Sequence, residues 1–501
     1  MTKKIKSFIC VVLSFMMLLS VVACANSSVD NNGEATTTTQ ASQNNDAPAD
    51  TTTSSQATDA PETTEYVDDD LDSSLNFGGE EFSLLYWDDS SYEEFYSEGI
   101  NGVLVNDAIY TRNAAVEDRL GIKFKFIGEH GNEYNEAPFA GKVSNSISAG
   151  DHAYDLIGAY SYTAGLCASQ GLLYDLSDVA YLDFDKPWWP DMLINQATIN
   201  NKIYFVSGDI SANAIYMMYV TFFNKEILEN YKLEDPYALV EQGKWTIDKQ
   251  FEMASSVYED LNGSGAKDSG DRCGLYIYTL HFDSFLWGSN VFIVDSLQND
   301  VKFSDDFLGE KTVNLQSKIS DFVYNNQGGL LVTDKNDAPT YFGNGFSLFW
   351  NDRCCRAIDY AGKTLSYGIL PIAKYDEAQQ SHVTIMGNPF SLYALPKDSQ
   401  NADMAGAVIE CMASESYRTV TPALYEESFK YKYSQDDVSA KMFDIARGTV
   451  VFDLARIFSN SLGAYKSWQK AITGGVAWTT TVKGNERTWQ KQLEKILEIF
   501  E

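Results

Sequence analysis

The chain reads EEFSLLYW at Glu80–Trp87, LVNDAIYTRNAAVEDRL at Leu104–Leu120 and IKFKFIG at Ile122–Gly128. The first and third segments are short runs rich in aliphatic and aromatic residues, which is typical of buried strands. The middle segment places Ile109, Val116 and Leu120 on one helical face, with Asn106 suited to cap its start and Gly121 its end. Together they predict a strand, a helix and a second strand of a parallel α/β unit.

The same alternation continues along the rest of the chain. Further strands are predicted at AYDLIGAY (153–160), KIYFVSGD (202–209), GFSLFW (345–350), LSYGILPI (365–372) and FSLYALP (390–396). Helices are predicted at GLCASQGLLYDLS (165–177), KEILENYK (225–232), SQNADMAGAVIECMAS (399–414) and over most of the carboxyl end. In the final helix a stripe of core residues is formed by Leu493, Ile496, Leu497 and Phe500. The pattern predicts an α/β fold with mostly parallel sheets flanked by helices.

Length and charge limit the kind of protein this can be. The body from Phe77 onward is too long for one ordinary domain and suits two. The formal net charge of -33 argues against nucleic acid, whose binding needs a basic surface, and against adhesion to anionic lipid. A field of that sign favours a cationic ligand.

The amino end predicts export and a lipid anchor. Three lysines precede an apolar run from Phe8 to Val22 that is too short to be a membrane span. The string VVACA then places small residues before Cys24 in the manner of a lipobox, whose cysteine receives diacylglycerol and acyl chains such as palmitate. Residues 1–23 are a predicted lipoprotein signal peptide, with an ordinary secretory signal as the alternative. The mature chain is expected on the extracytoplasmic face of the cell membrane, held by lipid alone.

Residues 24–76 are predicted to be the lipid-bearing cysteine and a disordered acidic tether. The segment is mostly Thr, Ser, Asn, Gln, Ala and Asp, and no Lys or Arg occurs between Lys6 and Arg112. Such a composition cannot bury enough apolar surface to offset the entropy lost on ordering. A glycosylated stalk is the alternative.

The cysteines and histidines do not form a recognisable chemical site. Five cysteines remain in the body, and this odd number at scattered spacing predicts buried thiols. The four histidines, at positions 130, 152, 281 and 382, are too far apart to pair as metal ligands. We find no nucleophile elbow, P-loop or dinucleotide fingerprint. The sequence therefore predicts that the protein is not an enzyme.

One loop has the spacing of a calcium site. Its candidate ligands are Asp260, Asn262, Ser264, Ala266, Asp268 and Asp271, with Gly265 at the turn. Ser264 is a weak ligand and Asp271 is shorter than the usual bidentate glutamate. A strand-like segment follows where a calcium-binding hand has a second helix. The alternative is an ordinary polar turn without metal or any other cofactor.

The order of the segments resembles a known family. FGGEEFSLLYW, AYDLIGAYSYTAGLCASQGLLYDLS, KPWWPD, NNKIYFVSGDISANAIYMMYVTFFNKEIL and FGNGFSLFWND together resemble the extracellular solute-binding proteins of maltose-binding-protein type. The likeness covers nearly the whole body. It implies a two-lobed periplasmic-binding-protein-like fold of type II, with the ligand in the cleft between the lobes. Lobe 1 would span 77–208 and 387–425, and lobe 2 would span 209–386 and 426–501.

The resemblance also implies a function and partners. Such a protein is the substrate-binding component of an ABC importer. It captures a small-molecule solute, here expected to be a mono- or oligosaccharide, and delivers it to permease subunits in the membrane. It would act as a monomer. The alternative is a surface lipoprotein that binds or degrades polysaccharide, since carboxylates are too numerous in this chain to exclude a glycosidase pair.

Candidate contacts to the solute follow from the resemblance. Trp87 and Asp88 come after the first strand, and Tyr160, Ser161 and Tyr162 come after the third, where ligands gather in open α/β sheets. Asp209 lies at a crossing between the lobes, where relatives place a carboxylate on sugar hydroxyls; capping of the hinge is its alternative role.

Aromatic side chains are the second group of candidates, because rings stack on the apolar faces of sugars. Trp350 matches an aromatic that stacks on sugar in relatives, and Asn351 is beside it. Tyr465 and Trp468 match a second platform, while Trp287 lies in a loop of the second lobe. For each of them packing in the core is the alternative. Trp188 and Trp189 in KPWWPD are expected to brace the first crossing.

Overall fold

The computed structural model describes residues 67–296, 301–334, 337–360, 363–425 and 437–501. The predicted signal peptide, the lipidation site Cys24 and the tether up to residue 66 lie outside the described residues. None of the helices in the described ranges combines the length and the hydropathy needed to cross a membrane.

The strands are short, and two sheets contain most of them. They are β1 (Glu80–Trp87), β2 (Ile122–Glu129), β3 (Leu156–Tyr160), β4 (Tyr219–Asn224), β5 (Tyr258–Glu259), β6 (Arg272–Tyr278), β7 (Val294–Asp295), β8 (Lys302–Phe303), β9 (Gly329–Val332), β10 (Ser347–Arg353), β11 (Tyr367–Leu370), β12 (Thr384–Ile385), β13 (Ser391–Ala394) and β14 (Val450–Val451).

Helices cover the faces of the sheets. They are α1 (Leu104–Leu120), α2 (Glu136–Ala149), α3 (Ser161–Ser169), α4 (Asp191–Ala197), α5 (Ala212–Tyr216), α6 (Lys225–Asn230), α7 (Pro236–Glu241), α8 (Ile247–Ser255), α9 (Phe282–Gly288), α10 (Asp305–Leu308), α11 (Glu310–Asn325), α12 (Asp337–Gly343), α13 (Arg356–Tyr360), α14 (Ala402–Glu415), α15 (Thr421–Tyr425), α16 (Asp437–Gly448), α17 (Leu454–Ile457), α18 (Ser459–Leu462), α19 (Ala464–Thr473) and α20 (Trp478–Leu497). Turns of 3-10 helix lie at Thr279–His281 and Glu498–Phe500, and a π-helical turn lies at Ser416–Val420.

The first sheet forms the core of what we call the first lobe. Its strand order is β13-β3-β1-β2, with β1 parallel to both neighbours and β13 antiparallel to β3. The predicted face of α1 is buried, since Ile109, Val116 and Leu120 have no exposed surface. Gly121 ends the helix at φ +61°, as predicted. The helix starts at Leu104 after Val103, so the prediction that Asn106 caps it is wrong.

The second sheet forms the core of the second lobe and is mixed. Its order is β11-β4-β10-β6-β5, with β9 also paired to β6. Strands β10–β6 and β6–β9 are parallel, whereas β10–β4, β11–β4 and β5–β6 are antiparallel. The two-lobed α/β fold is confirmed, but the expectation of mostly parallel sheets is wrong for this lobe. Strand β4 arrives directly from the crossing, which reverses its direction relative to β10.

Two further sequence predictions need correction. The segment 202–209 is extended but forms only isolated bridges, at Lys202 and Val206, among the described residues. Val206 pairs with Tyr393 of β13, but this pairing does not extend into a strand because the chain is already turning into a crossing there. The helix predicted at 165–177 ends at Ser169, since Gly171 adopts φ +65° and turns the chain away. The stripe at the carboxyl end is confirmed, with Leu493, Ile496 and Phe500 buried.

Three segments, which we call the crossings, pass between the two sheets. The first lies near residues 209–218, the second near 386–388 and the third near 450–453. They are joined by the amide of Gly387, which donates to the carbonyl of Met217 (2.7 Å), and by the parallel pair of β12 and β14. The expected bracing by Trp188 is confirmed, because its carbonyl accepts from the amide of Asp209 (3.0 Å). The exact lobe boundaries stay a prediction.

The cysteines of the described body are free and buried, namely Cys167, Cys273, Cys354, Cys355 and Cys411. Burial raises the pKa of Cys167, Cys273 and Cys411 to about 12. The prediction of buried thiols is confirmed for these residues.

Candidate functional site

A cavity of about 380 Å³ lies between the two lobes and against the crossings. We call it the cleft. Its lining combines aromatic rings, carboxylates and guanidinium groups: Trp87, Asp89, Ser90, Ser91, Tyr92, Asn132, Glu133, Tyr160, Asn213, Met217, Tyr219, Tyr278, Leu280, His281, Asp352, Arg353, Cys355, Arg356, Gly387, Asn388, Pro389 and Arg456. The volume falls within the range of about 300–1,000 Å³ typical of small-molecule sites.

Two aromatic residues at strand ends form the wall of the first lobe. Trp87 ends β1 and Tyr160 ends β3, and their ring centroids are 5.4 Å apart in an edge-to-face arrangement. The indole of Trp87 donates to the hydroxyl of Ser391 (2.8 Å), which fixes the ring. Both residues keep only 2% of their surface exposed, and both line the cleft.

The two aspartates after β1 face different surroundings. Asp89 lines the cleft and accepts from the amides of Gly131 (3.0 Å) and Asn132 (3.1 Å) and from the side chain of Asn135 (3.2 Å). Asp88, the predicted contact, is instead paired with His130 at 2.7 Å outside the lining. The carboxylate that lines the cleft at this strand end is therefore that of Asp89.

The loop after β1 is fastened to the first crossing by a buried carboxylate. Glu94 accepts from the amide and side chain of Asn213 (2.9 and 2.6 Å), from the hydroxyl of Ser211 (3.0 Å) and from that of Tyr393 (2.8 Å). Tyr92 in the same loop stacks on Tyr216 of α5 at 4.4 Å between centroids. A movement of the crossing would therefore carry this wall of the cleft with it.

The wall of the second lobe is built around one buried aspartate. Asp352 accepts from Nε of Arg353 (3.1 Å) and from Nε of Arg356 (3.0 Å), and Nε2 of His281 lies 3.6 Å away. Burial alone would raise the pKa of Asp352, but Arg353, His281 and Arg356 hold it well below the ordinary value. One carboxylate therefore serves two guanidinium groups at the end of β10.

Arg456 provides the third guanidinium group of the cleft. Its Nη1 donates to Asp283 (2.8 Å), and its planar head lies 4.8 Å from the ring centroid of Trp287 and 5.5 Å from that of Tyr465. Within the described residues its Nε is buried without a hydrogen-bond partner. The aromatic platform predicted for a sugar thus supports an arginine instead.

The residues under this arginine form a buried layer. The hydroxyl groups of Tyr162 and Tyr465 are hydrogen bonded to each other, and Trp287 donates to Asp453 (2.9 Å). Ser161 donates to the carbonyl of Asn388 (2.7 Å) and so holds the second crossing. None of these four predicted side chains lines the cleft.

Three other predicted contacts lie in the core of the second lobe. Trp350 has no exposed surface and meets the ring of His281 edge to face at 4.3 Å. Asn351 accepts from Thr221 (2.9 Å) and Gln250 (2.8 Å). Trp468 packs against Trp478. The structure therefore does not bring Trp350, Asn351 or Trp468 to the cleft, because they are enclosed by the sheet and its helices.

Asp209 belongs to a different cavity. This rear cavity, of about 650 Å³, is lined by Trp188, Trp189, Asp209, Met218, Met386 and Arg447 among others. Asp209 accepts there from Arg447 (2.9 Å) and Thr421 (3.0 Å), which agrees with a hinge role rather than with the cleft. Burial raises its pKa while Arg447 opposes that effect.

The candidate calcium loop is closed by its own hydrogen bonds. Asp260 accepts from the amides of Gly263 (2.7 Å) and Gly265 (2.9 Å), and Asp268 accepts from the side chains of Asn262 (2.7 Å) and Ser264 (3.0 Å). Asp271 is buried and accepts from the amide of Asp268. In the ranges that the structure describes, no three acidic, histidine or cysteine side chains are grouped to hold a metal ion. The donors point at the carboxylates where a cation would need them free.

Sequence reasoning missed Arg353, Arg356, Arg456 and Asn388. A signal for the first two was available, because the strand-end argument used for Trp87 and Tyr160 could also have been applied here. The strand was expected to end at Trp350, but β10 continues to Arg353, which moves the strand end by three residues. Arg456 lies far along the chain from its neighbours in the cleft, and no local pattern marks it.

Comparison with known proteins agrees with this architecture. Residues 107–419, more than half of the chain, match the sequence profile of the family described as bacterial extracellular solute-binding protein. No curated protein matches the chain.

Solved structures share the fold at low sequence identity. A cyclic α-maltosyl-1,6-maltose binding protein from Arthrobacter globiformis has a TM-score of 0.56 at 14% identity and covers 83% of this chain and 99% of its own. The galacto-N-biose/lacto-N-biose I-binding protein of an ABC transporter from Bifidobacterium longum, in complex with lacto-N-biose, has a TM-score of 0.55 at 13% identity and covers 84% and 98%. UgpB from Mycobacterium tuberculosis, in complex with glycerophosphocholine, has a TM-score of 0.51 at 15% identity and covers 84% of this chain and 99% of its own.

Proposed function

We propose, on the premise that this chain belongs to the bacterial extracellular solute-binding protein family, that it is the substrate-binding component of an ABC importer. Its solute is a mono- or oligosaccharide held in the cleft. The protein carries this solute to membrane permease subunits and catalyses no reaction on it.

The observation that carries the proposal is the chemistry of the cleft. The rings of Trp87 and Tyr160 line the cavity beside polar groups that converge on it. Oδ1 of Asn388 is buried there without a hydrogen-bond donor among the described residues. A buried acceptor without a partner is costly, and a solute hydroxyl would supply the donor. A saccharide is bound by aromatic rings that pack on the apolar faces of the sugar and by polar groups that hydrogen bond to its hydroxyl groups.

The structural neighbours are themselves solute-binding proteins. Two of those described above bind oligosaccharides and one is in complex with glycerophosphocholine. All three ligands are small, rich in oxygen and polar. Since these likenesses establish the fold alone, the solute of this chain rests on its own cleft residues.

The three crossings supply a mechanism for capture. The cleft is lined on one side by Trp87 and Tyr160 and on the other by Asp352 and Arg353. A bend at the crossings would bring the two walls together around a solute and exclude water. The closed form is then the one that the permease receives.

The anchor belongs to the same proposal. Lipidation of Cys24 after cleavage of residues 1–23 would hold the protein at the extracytoplasmic face of the membrane through lipid alone. The acidic tether would keep the folded body within reach of the permease. The body acts as a monomer.

A thermal-shift screen tests the function. The secreted chain without Cys24 is screened against mono- and oligosaccharides, amino acids and polyamines. A solute at a hundredfold its dissociation constant stabilises the folded state by about 2.7 kcal/mol. We expect a saccharide to raise the midpoint and Tyr160→Ala to abolish the shift. Tyr134→Ala, at a tyrosine that is 77% exposed, is the matched control and should keep it.

The alternative of a polysaccharide-binding or polysaccharide-degrading lipoprotein gives a different result. In that case intact polymer is bound or shortened, while soluble sugars produce no shift. Product analysis after incubation with polymer separates cleavage from binding, and released oligosaccharides would contradict the proposal.

A further inference from the structure

The charge balance of the cleft differs from that of the chain. The chain has 70 acidic and 37 basic side chains and a formal charge of -33. The cleft is lined by three carboxylates, from Asp89, Glu133 and Asp352, and by the guanidinium groups of three arginines, with no lysine. The formal charges of these six side chains therefore balance, so the cleft does not share the strong negative charge of the chain.

Arg353 is the group with unused donors. Its side chain is 19% exposed, and among the described residues its side-chain hydrogen bonds go to Asp352 alone, through Nε. Both Nη groups are left to the cleft. The stem passes close to Gly387, where a β-carbon would lie 2.6 Å from Cδ of Arg353. The glycine thus leaves room for the guanidinium head to reach the cavity across the second crossing.

Two of the three carboxylates that line the cleft, those of Asp352 and Asp89, already accept hydrogen bonds from the protein. Asp352 is shared with Arg356, so it offsets only one of the two positive charges. Asp89 on the opposite wall accepts from two amides and one side-chain amide. Neither Asp352 nor Asp89 accepts from the Nη groups of Arg353, and the planar fork of an arginine is matched best by an oxyanion with two oxygens.

We infer that the solute is an anionic saccharide, carrying a carboxylate, sulfate or phosphate group that the Nη groups of Arg353 bind. This inference rests on the proposed saccharide-binding function and narrows it. It differs from the expectation that the acidic chain favours a cationic ligand, because the field at short range is set by the groups that line the cavity. The rest of the acidic surface acts at longer range, where salt screens it.

Paired ligands test the inference by calorimetric titration of the secreted chain without Cys24. The pairs are trigalacturonate with galactotriose, N-acetylglucosamine 6-sulfate with N-acetylglucosamine, and glucose 6-phosphate with glucose. In at least one pair the anionic member should bind about 10- to 100-fold more tightly, which is the range of a charge-assisted hydrogen bond. Its affinity should fall as salt is raised. The three pairs identify which oxyanion is used.

Variants locate the effect. Arg353→Gln should remove the preference for the anionic ligand, and Arg353→Lys should restore only part of it because a lysine lacks the fork. Arg487→Gln makes the same charge change on the exposed face of α20 and should leave both affinities unchanged. Midpoints of thermal unfolding show whether each variant is folded, and the comparison of ligand pairs on the unaltered chain does not depend on any variant.

The outcomes are distinct. If no saccharide binds, neutral or anionic, the proposed function itself fails. If neutral saccharides bind as tightly as their anionic partners, the function stands and the anionic inference is overturned. A preference for the anionic member that survives in folded Arg353→Gln overturns the role of Arg353. A preference that this variant loses supports the inference.

Discussion

The cleft and the rear cavity lie on two sides of the same crossing segments, yet their chemistry differs. Met217 and Gly387 line the cleft, while their neighbours Met218 and Met386 line the rear cavity. The rear cavity is larger, at about 650 against 380 Å³. Volume alone would select the wrong side.

The polar groups decide between the two cavities. In the rear cavity Asp209 is paired with Arg447 and Thr421, so an acidic and a basic group already satisfy each other. In the cleft, Arg353 and Asn388 have donors and an acceptor without partners in the described part of the chain. A site for a solute is marked by hydrogen-bonding capacity that the protein leaves unused.

The largest effect is expected where the rear side of a crossing is most crowded. A β-carbon at Gly208 would lie 2.1 Å from the carbonyl oxygen of Trp188, which is backbone and cannot swing away. Gly208→Ala should therefore lower the free energy of unfolding by about 3 kcal/mol or more, measured by urea denaturation. Gly141→Ala, in α2 with open space around it, is the control. An unchanged midpoint for Gly208→Ala would show that the crossing can shift.

The next effect concerns pH and the two tryptophans behind the rear cavity. Glu410 accepts from the indoles of Trp188 (2.9 Å) and Trp189 (3.0 Å), and burial raises its pKa to about 7. The folded state then holds a proton that the unfolded state releases above about pH 4.5. Stability should rise as pH falls from 7 to 4.5, by about 2–3 kcal/mol relative to Glu410→Gln. Urea titrations of both proteins across this window measure the difference, and parallel curves would contradict it.

A smaller effect is expected from the rear ion pair. Asp209 is buried but Arg447 is 32% exposed in its side chain, so solvent screens part of their attraction. Asp209→Asn keeps an acceptor for Thr421 and should lower the free energy of unfolding by about 1 kcal/mol at low salt. The loss should shrink at high salt. A loss that is independent of salt would point to the hydrogen bond instead of the charge.

The smallest change in stability is expected at the equivalent glycine of the cleft. A β-carbon at Gly387 would meet Cδ of Arg353 at 2.6 Å, and a flexible side chain can move. Gly387→Ala should cost less than about 1 kcal/mol in stability but displace the guanidinium, so that affinity for an anionic saccharide falls about tenfold. Denaturation and titration of one sample separate the two effects. Equal losses of stability in Gly387→Ala and Gly208→Ala would contradict the expected difference between the cleft side and the rear side of the crossings.

The sequence predicts the fold better than the site, and particular residues show why. The periodicity of the apolar residues and the position of Gly121 are enough to predict β1, α1 and β2, because these elements are determined by local sterics and burial. Trp87 and Tyr160 were placed at the cleft by the same reasoning, since each ends a strand. Trp350 was selected because it matches an aromatic of relatives, and that resemblance did not show that β10 continues to Arg353.

Other parts of the site depend on tertiary structure. The direction of the backbone at one bend decides whether Asp209 faces the cleft or the rear cavity. The local sequence SGDIS (207–211) does not determine that direction. Arg456 joins the cleft through its pair with Asp283, a contact between distant parts of the chain. Whether Tyr465 stacks on a solute or on Arg456 depends on that pair as well.

The five buried thiols bear on how the protein matures. Since the cysteines of the described body are free and a pKa of about 12 leaves Cys167, Cys273 and Cys411 almost entirely protonated at neutral pH, they are poor nucleophiles. Folding of the described body then involves no disulfide bond among these five cysteines. The body can reach its native state in anoxic and in aerated surroundings alike, and its thiols are shielded from oxidants in both.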